Sequence, residues 1–172
     1  AAQGVRFTRA YAASPVCSPS RATLFTGRYP QVHGVKNNNL PFNAGEVVLP
    51  QLLRAQGYRT GIVGKLHLQA TDDWFDYAKI TEGGRGDAYE AFLRASKQFI
   101  TGIANNAAVP GSLVGVGKTP LKIGTSVLPE DKYEEAWVAE RALDFLRAQK
   151  DQAQPWFLFL SLFKPHSEYV IP

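Results

Sequence analysis

Methionine is absent from all 172 residues, and cysteine occurs once, as Cys17. A single cysteine excludes an internal disulfide framework and leaves the redox compartment open. No apolar run reaches the roughly 18 to 20 residues that span a bilayer. The longest, Trp156 to Phe163, has the length of a buried strand. Charge of either sign is sparse: 19 Lys and Arg against 15 Asp and Glu leave a net +4. With no block of basic residues, a nucleic-acid partner is not expected. A basic segment followed by an apolar one is also lacking, so these residues predict no signal peptide among themselves. What remains, 45% hydrophobic and 20% charged residues, is the composition of one ordinary globular domain with a sizeable core.

The order of residues predicts helices alternating with strands. Ala1-Ala2-Gln3-Gly4 reads as the last turn of a helix with its glycine cap, and Val5 to Ala12 as a short strand stopped at Ser14-Pro15. Ser18 as N-cap, Pro19 at the first helical position and Gly27 at the end bound a helix. Pro50 to Gln56 predicts a second helix, and Tyr58 to Val63 a strand stopped by Gly64. The signal then weakens. Asp87 to Phe99 has helical spacing, whereas 100–124 is rich in glycine and small residues and reads as a loop or irregular insertion. Glu130 to Lys150 is an amphipathic helix, and the continuous apolar run Trp156 to Phe163 predicts a strand covered on both faces. This alternation implies an α/β domain with a mainly parallel sheet between helices. Both termini read as cuts through a longer domain.

Ligands of open α/β sheets bind beyond the carboxyl ends of the strands. Three groups fall there: Cys17, the pair Lys65 and His67, and the pair Lys164 and His166. A nucleophile with several cations on one sheet edge is what hydrolysis of an anionic ester requires. Near a helix N-terminus, Cys17 could carry a thiolate or face a bound oxyanion, with Arg21 one turn on. Bland readings stand beside each group. A lone cysteine is usually buried and inert, and an ordinary thiol nucleophile would want a histidine base. Lys65 and Lys164 could be surface lysines and His67 a loop cap. His33, beside Gly34, reads as structural.

The run Cys17-Ser18-Pro19-Ser20-Arg21-Ala22-Thr23-Leu24-Phe25-Thr26-Gly27-Arg28 resembles the signature of type I sulfatases, formylglycine-dependent enzymes of the alkaline phosphatase-like superfamily. About forty residues on, Gly57-Tyr58-Arg59-Thr60-Gly61-Ile62-Val63-Gly64-Lys65-Leu66-His67 is similar to their second signature, Gly-Tyr-x-Thr-x-x-x-Gly-Lys-x-His. Lys164-Pro165-His166, after an apolar strand, resembles the segment that delivers a histidine to the sulfatase site. The resemblance implies an N-terminal portion of the catalytic domain: 1–71 with both motifs, 72–125 a variable insertion, and 126–172 a helix and strand leading to His166.

By that resemblance, Cys17 is converted by a maturation enzyme to formylglycine, whose hydrate is the nucleophile and a ligand of a divalent cation, usually calcium. Arg21 holds the hydrate. Lys65, His67 and Lys164 bind the sulfate, and His166 contacts it or protonates the leaving oxygen, work that suits an imidazole. The substrate implied is a small-molecule or carbohydrate sulfate ester. Periplasmic, secreted or lysosomal placement would fit such a family. The family's acidic metal-ligand pairs have no counterpart in their places. Asp72-Asp73 lies downstream of the second signature and reads as a loop or an N-cap. Two other readings remain: a phosphonate or phosphate ester hydrolase with the same nucleophile, and a non-catalytic segment that binds an anion or packs against a partner.

Overall fold

The structure is a computed structural model that describes residues 3–69, 73–82, 87–96, 114–116, 119–121, 123–125, 128–166 and 169–171. The chain divides into two units, Ala1–Leu49 with His67–Thr71, and Pro50–Leu66 with Asp72–Pro172.

The first unit is built on α1 (Cys17–Thr26) and the single turn α2 (Pro30–His33). Gly27 ends α1 in the left-handed region (φ 69°), its N–H donating to Thr23 O at 2.8 Å. Only a residue without Cβ enters that region cheaply, as the sequence predicted. Ala22, Phe25, Val35 and Val48 are buried here. Val5 to Ala12, expected as a strand, is not one. Val5, Phe7 and Tyr11 are 81%, 77% and 89% exposed, and a strand needs a paired neighbour, which 5–12 lacks among the described residues. The helical turn expected at the start falls partly on residues 1 and 2, outside the described set.

The second unit holds the sheet. It begins with α3 (Leu49–Ala55), then β1 (Arg59–Gly64), β2 (Tyr77–Ile80) and α4 (Ala88–Ala95). The short strands β3 (Val114–Val116), β4 (Thr119–Leu121) and β5 (Ile123–Thr125) follow. A 3₁₀ turn (Glu130–Lys132) leads into α5 (Glu134–Gln149), and β6 (Trp156–Ser161) and β7 (Tyr169–Ile171) complete the order. The main sheet has the order β2-β1-β6, all parallel, with Gly61 opposite Tyr77 and Arg59 opposite Trp156. Tyr89 and Leu93 of α4 and Trp137, Val138 and Ala142 of α5 bury against Val63. The Tyr89 and Trp137 rings lie 5.5 Å apart. The entry of β2 is pinned to β1 by Asp76, which accepts from Thr60 N at 2.9 Å and pairs with Arg54 at 2.9 Å. Burial raises the Asp76 carboxyl, but these bonds outweigh it and hold it below its ordinary value.

Two expectations need correction here. Described parts of 100–124 form strands: β3 pairs antiparallel with β4, and β5 pairs parallel with β7. Three-residue strands carrying Gly and Pro show no periodicity, so their ladders come from tertiary pairing. The rest of that stretch lies outside the described residues. Secondly, β6 is not covered on both faces. It is an edge of the described sheet, with Trp156 and Leu160 about half exposed, whereas β1 is buried along Thr60 to Gly64. Missed altogether was β2, whose four residues sit in a stretch without alternation.

One buried acid joins α5 to the sheet. Glu134 is 1% exposed, and its Oε1 lies 2.7 Å from the Thr81 hydroxyl, just beyond β2. Thr81 Oγ1 is also 3.2 Å from Asp87 Oδ2. Asp87 caps α4 and accepts from Glu82 N, Tyr89 N and Glu90 N. The Thr81 hydroxyl donates to Glu134 Oε1, the shorter of its two carboxylate contacts. Burial, chiefly, pushes the Glu134 carboxyl up to about 7, against the pull of Thr81 and Lys164. Between pH 4.5 and 7 the unfolded chain therefore loses a proton that the fold keeps, and stability falls as pH rises through that window. Glu134→Gln, neutral and of the same shape, is expected to gain on the order of 2 kcal/mol over the parent between pH 5 and pH 8, read by denaturant unfolding of the full-length protein.

Candidate active site

In the first unit, the carbonyl of Val16 opens α1, so Cys17 is the first helical residue and is half-buried. Ser18 is not the N-cap expected from the sequence. Its N–H donates to Asn38 Oδ1 at 3.0 Å, and its hydroxyl donates to His67 O at 2.6 Å. The cap is thus supplied from 20 residues away, and Pro19, at the third position, has no N–H to satisfy. Arg21 stands one turn after Cys17 on the same helix, where i and i+4 side chains share a face. Two contacts hold the segment after His67: the Ser18 bond and Gln69 Nε2 donating to Asn39 O at 3.0 Å. His67 has φ 52°, a left-handed conformation that costs a non-glycine residue on the order of 1 kcal/mol.

His33 is fully buried, and its Nδ1 accepts from Val35 N at 3.1 Å. The hydrogen therefore sits on Nε2, which donates to Thr23 Oγ1 at 3.1 Å. Burial lowers its pKa more than Glu46 raises it, so the neutral ring is favoured. It braces the turn after α2 against α1.

In the second unit, parallel pairing places the carboxyl ends of β1 and β6 side by side, with Gly64 opposite Ser161. Gly64 has φ 97°, and a Cβ there would overlap the Ser161 carbonyl oxygen. Three bonds then fix the backbone that carries Lys65. Lys65 N donates to Ser161 O at 2.8 Å, Thr81 N to Gly64 O at 3.1 Å, and Leu66 N to Glu82 Oε1 at 3.2 Å. The Lys65 side chain is buried, and its Nζ lies 4.7 Å over the Phe163 ring. On the other strand's exit, the Lys164–Pro165 peptide is cis, and His166 N donates to Phe163 O at 3.1 Å. The His166 ring is 4.8 Å from Phe163 and exposed; Lys164 is half-buried.

The sequence offers Cys17, Arg21, Lys65, His67, Lys164 and His166 as candidates, but it does not show that Asn38 and Glu82 bond the backbone at Ser18 and Leu66. The run Asn37-Asn38-Asn39 was the one visible signal, three amides with no periodic role. Asp73, of the acidic pair, accepts from Gln51 Nε2 at 2.6 Å as a loop residue, and Asp72 lies outside the described set. Calcium takes six to eight oxygen ligands. Among the described residues no three His, Cys, Asp or Glu side chains gather to hold a metal, so these residues alone do not make a calcium site. No helix among them is long and apolar enough to cross a membrane.

The second unit is thus a parallel α/β sheet with Lys65, Lys164 and His166 at its strand exits. The sulfatase family model matches residues 1–171, and the chain belongs to that family. It is 30% identical over 190 residues to N-acetylgalactosamine-6-sulfatase of Sus scrofa, covering 97% of this chain and 34% of that protein. It is 36% identical over 90 residues to N-acetylglucosamine-6-O-sulfatase of Bacteroides thetaiotaomicron, covering 51% of this chain and 16% of that protein. In fold it is similar to a phosphonate monoester hydrolase from Silicibacter pomeroyi, with TM-score 0.76 and 19% identity over 94% of this chain and 34% of that one. The chain thus spans about a third or less of the length of these relatives.

The Gly64 geometry makes a prediction. Gly64→Ala in the full-length protein is expected to cost roughly 3 kcal/mol or more, because both the φ and the Ser161 oxygen resist a Cβ. Asn38→Ala, which removes a cap, is expected to cost only about 1 kcal/mol. Chemical denaturation of both variants would show whether that order holds.

Proposed function

We propose that the whole protein hydrolyses sulfate esters and that this segment supplies its nucleophile. The observation that carries the reading is Cys17 as the first residue of α1 with Arg21 one turn on, inside the full Cys-x-Pro-x-Arg run. A helix start directs N–H groups and positive partial charge at an anion. Cys17 is read as the precursor of formylglycine. One hydroxyl of its hydrate loses its proton to water and attacks sulfur, and the bond from sulfur to the alcohol oxygen breaks. His166 gives that oxygen a proton. The second hydroxyl then loses its proton, the carbonyl re-forms as the bond to the sulfate oxygen breaks, sulfate leaves, and water adds to the aldehyde to restore the hydrate. Arg21 holds the hydrate, while Lys65, His67 and Lys164 neutralise the non-bridging oxygens, a stabilisation of developing charge. A serine at 17 would lack the second hydroxyl and with it the internal route for releasing sulfate.

The cation belongs to the proposal only through residue 17 as a ligand, with the others supplied from outside the described residues. The maturation enzyme that converts Cys17 is a further partner the reading requires. Two relatives named for 6-sulfated amino sugars support a carbohydrate sulfate ester as substrate. The fold shared with a phosphonate monoester hydrolase supports the second reading, a phosphonate or phosphate ester. Rates on a sulfate and a phosphate ester of one alcohol separate the two.

Digestion of the full-length protein from its native host with trypsin releases the peptide Ala10 to Arg21. The expected mass is that of formylglycine, with sulfur replaced by oxygen and two hydrogens lost. Cysteine alone at that position would remove the proposed nucleophile. Cys17→Ser is expected to lower kcat by about 10³-fold or more while leaving the thermal midpoint within a few degrees.

A further inference from the structure

Phe163 has no polar atom, and none of the chemistry above uses it. Its placement is nevertheless specific. The ring is 8% exposed, lies under the Lys65 ammonium at 4.7 Å, and faces the His166 imidazole at 4.8 Å with 42° between the planes. The two partners come from different strand exits. Lys65 follows β1, and His166 closes the turn after β6 through its bond to Phe163 O. An aromatic face carries negative charge density, so it attracts an ammonium or an imidazolium above it. Lys65 is only 4% exposed, where burial penalises its charge, and the ring offsets part of that penalty. A ring contacted by both ties the two groups to one place.

We infer that Phe163 is a positioning residue, whose aromatic face holds the Lys65 ammonium and the His166 ring together for one tetrahedral anion. This rests on the hydrolase reading above. An aliphatic core residue at 163 would fill the same space without setting either group, which is the distinction a test must draw.

The test uses the full-length, matured enzyme with 4-nitrophenyl sulfate as substrate and inorganic sulfate as a binding probe. Phe163→pentafluorophenylalanine keeps the ring's shape and reverses its charge distribution. It is expected to lower kcat/KM by roughly tenfold and to weaken sulfate binding, with the thermal midpoint little changed. Phe163→Leu is expected to lose activity similarly, and Phe163→Tyr, which keeps the face, to restore most of it. In a Lys65→Met background the fluorination effect should largely vanish, because coupled residues are not additive. Unchanged kcat/KM and sulfate binding on fluorination would overturn the inference. So would an equal effect with and without Lys65. A parent enzyme that turns over no sulfate ester would instead sink the hydrolase reading, and sulfate binding by the fluorinated variant would still decide the role of Phe163.

Discussion

The parallel pairing of β1 with β6 is the constraint on which the second unit depends. Six residues of each strand run in register, from Arg59 opposite Trp156 to Gly64 opposite Ser161. Parallel strands end on the same edge, so the chain leaving β1 and the chain leaving β6 emerge side by side. At that edge the strands approach so closely that position 64 has no room for a side chain. The Lys65 amide then bonds to the Ser161 carbonyl, which carries the ladder one residue past the strand and fixes where Lys65 starts. Its buried ammonium reaches the ring of Phe163 because both exits are tied to one place.

Around that edge the polar groups are satisfied from a distance. Thr81 and Glu82, just after β2, bond to Gly64 and Leu66, and Asp87 in turn anchors Glu82 while capping α4. Glu134, from the start of α5, meets the same Thr81 hydroxyl. Backbone, helix start and buried acid thus form one connected network, in which each donor has a named acceptor. The start of α1, in the other unit, follows the same logic. Asn38 takes the Ser18 amide, and the Ser18 hydroxyl takes the His67 carbonyl. These groups do no chemistry in the proposed reaction; they decide where the reacting groups begin.

Membership of the sulfatase family gives the motif residues a shared context. The chain spans about a third of the length of the sulfatase and the hydrolase it resembles. The fold is shared with a phosphonate monoester hydrolase.

Much of this was legible in the residues themselves. Gly27 and Gly57 marked helix ends because only glycine enters the left-handed region without strain. The amphipathic spacing from Tyr133 to Leu146 marked α5, and the apolar run after Pro155 marked β6. Local sequence also singled out the candidate residues, since Cys17, Lys65, His67 and His166 sit in dense, ordered motifs. Other features depended on residues far apart in the chain. Val5 to Ala12 has the residue types of a strand yet no neighbour to pair with, and β2 pairs without the types. Ser18 has the residue type of an N-cap, but its amide is bonded by Asn38 and its hydroxyl is given to His67. The sequence determined the local conformations and the candidate groups, because torsional preference and side-chain chemistry belong to single residues. Only the tertiary structure decided the ladders, the cap of α1, the bond from Thr81 to Glu134, and the ring between Lys65 and His166, because hydrogen bonds and burial need partners that the chain brings together only by folding.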